Sequence, residues 1–176
     1  MKKNTMIMTL AIAFMGLFLP ATLKAQKDMF TDSDKAKAAF IKADPGMGSL
    51  FSGSYAYVIF PHIGKGALIV GGGHGNGVVY ESGRAIGTAK VTQLTVGAQI
   101  GGQAYREVIF FENKDALDRF KEDKFELTGG VSATVAKSGA SANAQYREGV
   151  QVFTEAIKGL MVEAAVGGQK FKYKSL

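Results

Sequence analysis

The sequence predicts an α+β fold: a mainly antiparallel, strongly curved, glycine-rich sheet or partial barrel carrying two or three short helices. Three observations lead there. The chain has 23 glycines against 3 prolines, a bias toward tight turns, bulges and close backbone approach. Beyond Leu50 it breaks into short β-branched and aromatic runs separated by glycine turns. Two segments, one near the N-terminus and one after Asn113, instead carry the 3.6-residue apolar spacing of amphipathic helices. The 176 residues, 47% hydrophobic and 20% charged, suit one globular domain and lie far from disordered composition.

The chain opens with Lys2 and Lys3, an apolar run from Met6 to Leu19, then Pro20 and a small-residue stretch ending at Ala25. This is the layout of an export signal with cleavage after Ala25, and a run of ~14 residues is short against the ~20 that span a bilayer. The expected organisation is a signal peptide at 1–25 and a single domain at 26–176, in a periplasmic or extracellular protein, peripheral on a membrane at most. Losing Lys2, Lys3 and Lys24 but no acidic residue lowers the net charge from +6 to +3. Basicity therefore gives little reason to expect a nucleic-acid partner.

In the mature part, TDSDKAKAAFIKA starts with capping residues and sets Ala36, Ala39, Phe40 and Ala43 at helical spacing, predicting a helix over 31–43 that stops before Pro45. Tyr55 to Phe60 reads as a strand closed by Pro61. Gly66 to Val70 and Gly77 to Tyr80 read as a hairpin pair, and Glu81-Ser82-Gly83-Arg84 as the turn into further strands reaching Gln103. Tyr105 to Phe111 is a strand. Asn113 is the N-cap of a helix, KDALDRFKE, with Leu117 and Phe120 facing inward. Phe125 to Lys137 alternates weakly, Ser138 to Asn143 is a small-residue loop or turn, and Val150–Ala156, Leu160–Ala165 and Lys170–Lys174 are strands. Short links between successive strands predict antiparallel pairing, since a parallel crossover needs a dozen residues or more.

Little in this pattern suggests catalysis. With no cysteine, disulfides, thiol nucleophiles and thiolate metal sites are excluded, and His62 and His74 lack zinc-site spacing. The segment from Gly71 to Gly77 fits neither the dinucleotide fingerprint nor the phosphate loop. Its glycines at 71, 73, 75 and 77 recur every second residue, which in a strand leaves one face bare. Close packing on that face is favoured over a ligand cradle, and His74 reads as a solvated residue in a glycine turn. Gly97, Gly101, Gly102, Gly129 and Gly130 add to the expected curvature. No cofactor, metal or catalytic residue is expected. Lys170, Lys172 and Lys174 alternate with Phe171 and Tyr173, giving either a cationic ridge for an anionic surface or an edge strand guarded against aggregation.

Taken together, Ser54-Tyr55-Ala56-Tyr57-Val58-Ile59-Phe60-Pro61, Lys65-Gly66, Val70-Gly71-Gly72, Gly75-Asn76-Gly77, Gly87, Gln93, Gly97, Gln99 and Gly101-Gly102-Gln103 resemble the SYLF domain. Ala116-Leu117-Asp118-Arg119-Phe120 and Lys158-Gly159-Leu160-Met161 extend the likeness, which runs from about Phe30 to Tyr173. SYLF domains occur as lipid-binding and actin-regulator domains in yeast actin-patch proteins and in many bacterial exported proteins. The resemblance implies a non-enzymatic phospholipid-binding domain aided by an amphipathic N-terminal helix and basic residues, here Lys35, Lys37 and Lys42 on the helix over 31–43. An exported bacterial protein meets neither actin nor, ordinarily, phosphoinositides, so anionic membrane phospholipid is the expected partner. The alternative is a structural or partner-binding envelope protein without lipid affinity.

Overall fold

The computed structural model describes residues 19–65, 72–94, 104–122, 125–127, 133–157 and 168–176. The apolar run before Leu19, the strands expected at Gly66–Val70 and Leu160–Ala165, and the glycines at 71, 97, 101, 102, 129 and 130 lie outside them. In chain order the elements are α1 (Leu19–Ala43), α2 (Met47–Gly53), β1 (Ala56–Lys65), β2 (Gly72–Glu81), β3 (Arg84–Leu94), β4 (Ala104–Phe111), α3 (Lys114–Lys121), β5 (Glu126–Leu127), β6 (Thr134–Val135), α4 (Ala140–Asn143), β7 (Val150–Ala156) and β8 (Gln169–Ser175). The fold is α+β.

The strands form one sheet in the order β5-β8-β3-β2-β1-β4-β7-β6. It is open, with β5 and β6 at its edges, and mixed: β6 runs parallel to β7 while the other pairings are antiparallel. The parallel pair departs from the short-link argument because the connection 136–149, with α4 inside it, is long enough for a crossover. The sheet also bends sharply. At ~4.8 Å per pairing, β8 and β4 would be roughly 19 Å apart in a flat sheet. The side chains of Gln169 on β8 and Glu107 on β4 nevertheless meet at 3.0 Å.

The concave side encloses a core of Val58, Phe60, Ile63, Val91, Ile109, Phe111 and Phe171, closed by Leu117 and Phe120 of α3. Asn113 caps that helix as expected, its Oδ1 accepting from the Ala116 N–H at 3.0 Å. Gly73, Gly75 and Gly77 are buried on the same side of β2. A Cβ on Gly77 would stand 2.5 Å from the Ile59 carbonyl oxygen and 2.7 Å from the Phe60 ring, and one on Gly75 would stand 2.9 Å from Ile63 Cγ1. Neighbouring side chains thus lie over bare backbone, as the close-packing reading requires.

On the opposite side α1 and α2 pack Ala36, Phe40, Met47 and Phe51 against Tyr57, Ile59, Val78, Phe110 and Phe153. Three local expectations are corrected here. Helix α1 starts at least as early as Leu19, not at Thr31, whose hydroxyl donates back to the Lys27 carbonyl at 3.1 Å rather than capping; hydroxyl residues tolerate mid-helix positions in this way. The Ala25–Gln26 bond lies within that helix. Strand β1 runs through Pro61, which sits where the register to both neighbours shifts; a bulge is where a residue without an N–H can be housed in a sheet. The helices number four among the described residues and α1 is 25 residues long. The 138–143 loop holds the single turn α4, and α2 went unpredicted because its glycines and serines have poor helix propensity.

Candidate functional site

Strand β8 sorts its side chains by alternation. Gln169 and Phe171 are buried in the concave interior, whereas Lys170, Lys172 and Lys174 are exposed on the other side of the sheet. Tyr173 is half-buried and donates from its hydroxyl to the Ile86 carbonyl at 3.1 Å. Its ring lies where Gly87 has no side chain.

The register adds a fourth cation. Lys172 pairs directly with Lys90 of β3 and Lys174 with Thr88, while Lys170 lies between Thr92 of β3 and Glu126 of β5. Cβ atoms of directly opposed residues lie about 5 Å apart, and like charges so placed repel. The row continues across the sheet, from Lys90 to Asn76 on β2 and from Asn76 to His62 on β1. All four members of this row are exposed. Lys90 was missed in the sequence because its meaning depends on Lys172, more than eighty positions away. The only local signal was its place between the buried Ala89 and Val91.

The helix lysines are not gathered in this way. Lys35 is paired with Asp32 at 3.1 Å and both are well exposed. Lys37 folds inward, donating to the Tyr57 hydroxyl at 3.3 Å and standing 5.0 Å from the centroid of the Phe51 ring. Lys42 is exposed in the last turn of α1. The structure therefore assembles Lys170, Lys172 and Lys174 with Lys90 and leaves Lys35, Lys37 and Lys42 dispersed.

Between the N-terminal half of α1 and the sheet lies an open cleft of about 730 Å³, within the usual range for ligand sites. Asp28, Met29 and Asp32 form its helix wall, and His62, His74, Asn76 and Lys90 its sheet wall. His74 is thus an exposed strand residue, paired with Gly64 and Thr92, and not part of a glycine turn. Inside the concave core is a separate polar group. Tyr105 donates to Gln93 Oε1 at 2.7 Å, and Gln169 Nε2 donates to the Tyr105 hydroxyl at 3.2 Å and to Glu107 Oε2 at 3.0 Å. Burial pushes the Glu107 carboxyl up to about 8, against the opposing effect of the Gln169 hydrogen bond. Burial likewise raises Tyr105 far above the ordinary phenol range. Among the described residues no group of three metal-ligating side chains occurs.

Residues 92–175 match the family model described as "Ysc84: Las17-binding protein actin regulator". A curated relative, Beta cell expansion factor A of Aeromonas veronii, is 30% identical over 154 residues, which cover 86% of this chain. The match spans 59% of that relative's length.

Proposed function

Starting from the membership of this chain, through residues 92–175, in the Ysc84 (SYLF) family, we propose that it is an exported, non-enzymatic module that binds anionic phospholipid at a membrane surface of the bacterial cell envelope. The observation that carries the reading is the directly opposed Lys90–Lys172 pair with Lys170 and Lys174 beside it. Lys90 and Lys172, exposed and directly opposed on one sheet face, cost stability unless an anion compensates them. A lysine close to an anionic leaflet contributes about 1 kcal/mol, so Lys90, Lys172 and Lys174 supply on the order of 3 kcal/mol, a loose and salt-sensitive association. Cleavage after Ala25 delivers the domain to such a surface.

The test is co-sedimentation with phosphatidylcholine vesicles, with and without phosphatidylglycerol. The wild type sediments only with the anionic vesicles and is released by salt. The Lys90→Glu/Lys172→Glu variant loses sedimentation while Lys35→Glu/Lys42→Glu keeps it; unchanged binding by the first variant rejects the reading. A second reading, a partner-binding envelope protein, draws on the family description, which names a protein partner. It prevails if neither wild type nor variants sediment.

A further inference from the structure

The cleft beside the lysine face has walls of opposite charge. Asp28 and Asp32 are one helical turn apart and so project on the same side of α1; both are exposed and line the cleft, Asp32 keeping one oxygen on the exposed Lys35 at 3.1 Å. Facing them, the sheet presents Lys90, Asn76, His62 and His74, three of which belong to the row that continues into Lys172. A purely anionic ligand would meet the aspartates unfavourably and a purely cationic one would meet Lys90. The complementary occupant carries both charges a few ångströms apart, with its anionic group on the sheet side and its cationic group on the helix side.

We propose that this cleft receives the phosphoethanolamine headgroup of a membrane phospholipid, with the phosphate toward Lys90 and Asn76 and the ammonium toward Asp28 and Asp32. The proposal rests on the membrane-binding reading above and deepens it. A primary ammonium offers three N–H donors that carboxylates can accept, whereas a quaternary ammonium offers none and is ordinarily recognised by a cage of aromatic rings. Among the described residues no Phe, Tyr or Trp lines the cleft. The chemistry therefore selects ethanolamine over choline. The position is also right for a lipid, because Lys172 and its neighbours continue from the cleft along the same sheet face, and Met29 and Pro61 supply apolar surface in the lining.

The test uses the full chain and soluble probes, so that it does not depend on membrane association. Glycerophosphoethanolamine, glycerophosphocholine and glycerol 3-phosphate are titrated separately while amide and histidine NMR signals are followed. Glycerophosphoethanolamine is expected to shift His62, His74, Asn76 and Lys90 at concentrations on the order of tenfold lower than the choline analogue, the effect of losing charge-assisted hydrogen bonds. Asp28→Asn/Asp32→Asn abolishes that preference while glycerol 3-phosphate still shifts Lys90. Equal response to the two zwitterions, or a preference that survives the double variant, overturns the proposal. A Lys170→Glu/Lys174→Glu chain separates the two readings, since it loses anionic vesicles but keeps the response to glycerophosphoethanolamine. In vesicles, adding phosphatidylethanolamine in place of phosphatidylcholine at fixed anionic content increases wild-type sedimentation. No increase, with the soluble preference intact, shows recognition of the free headgroup only and overturns the assignment to lipid.

Discussion

Glu107 makes the stability of this fold depend on pH in a direction opposite to the usual carboxylate. It is fully buried between β1 and β7, opposite Phe60 and Thr154. Of its two carboxyl oxygens, one accepts from Gln169 and the other has no hydrogen-bond partner among the described residues. Burial raises its folded pKa from 4.5 to about 8. Between those values the unfolded chain has released the proton and the folded chain holds it, so stability falls as pH rises, by up to about 1.4 kcal/mol per pH unit. The contribution is fully present below about pH 4.5 and gone above about pH 8. Over the whole window the loss is on the order of 4–5 kcal/mol, and between pH 5 and 8 it corresponds to a drop in melting temperature of roughly 10 °C for a chain of this size. Thermal denaturation followed by circular dichroism at half-unit pH steps measures it. Glu107→Gln, which keeps the shape and removes the titration, should flatten the profile across that window. If wild type and Glu107→Gln show the same slope, the carboxyl does not hold its proton in the folded state and the account of the interior is wrong.

Three further outcomes follow from the geometry. Asp44 is buried and accepts N–H bonds from Gly46, Gly139 and Ser141; burial by itself would raise its pKa, but these bonds outweigh that and lower it. Its contribution is present above its unfolded value of about 3.8 and is lost as pH falls through the lowered folded value, outside the Glu107 window. Asp44→Ala should cost about 2–3 kcal/mol in urea denaturation at pH 7 by orphaning those donors. Gly77→Ala should cost roughly 1–3 kcal/mol by forcing β1 away from β2, and an unchanged urea midpoint would remove the close-packing account of the bare strand face. Asn113→Ala should cost about 1 kcal/mol through loss of the α3 cap, measured the same way.

Local signals were legible in the sequence and long-range ones were not. The Asn113 cap, the inward Leu117 and Phe120, the β4 and β7 strands and the alternation of β8 all depend on spacings within ten residues, and the structure holds each in place. What failed was read across a punctuation mark whose effect depends on tertiary context. Pro61 ends a strand by default but here occupies a bulge, and Thr31 looks like a cap but continues a helix. The candidate site was half legible for the same reason. The ridge at Lys170, Lys172 and Lys174 follows from alternation, while Lys90, Asn76 and His62 join it only through registers that no local pattern encodes.

The placement of β8 decides how cleanly the binding reading can be tested. The same seven residues supply Gln169 to the hydrogen bond with Glu107, Phe171 to the ring cluster with Phe60, Phe120 and Phe125, and the lysines to the outer face. Alternation keeps these roles on opposite sides of one backbone. Charge reversal at Lys172 or Lys174 changes only the solvent side, and by relieving the Lys90–Lys172 repulsion, a change at either member of that pair should leave the domain as stable or slightly more stable. Phe171→Ala, in contrast, opens the concave core and should cost about 3–5 kcal/mol. Vesicle binding lost with stability retained in Lys172→Glu therefore assigns the lysines to a surface function. Binding and stability lost in parallel would instead place Lys172 among the groups that hold β8 to β3, and the four-lysine face would no longer support a membrane role.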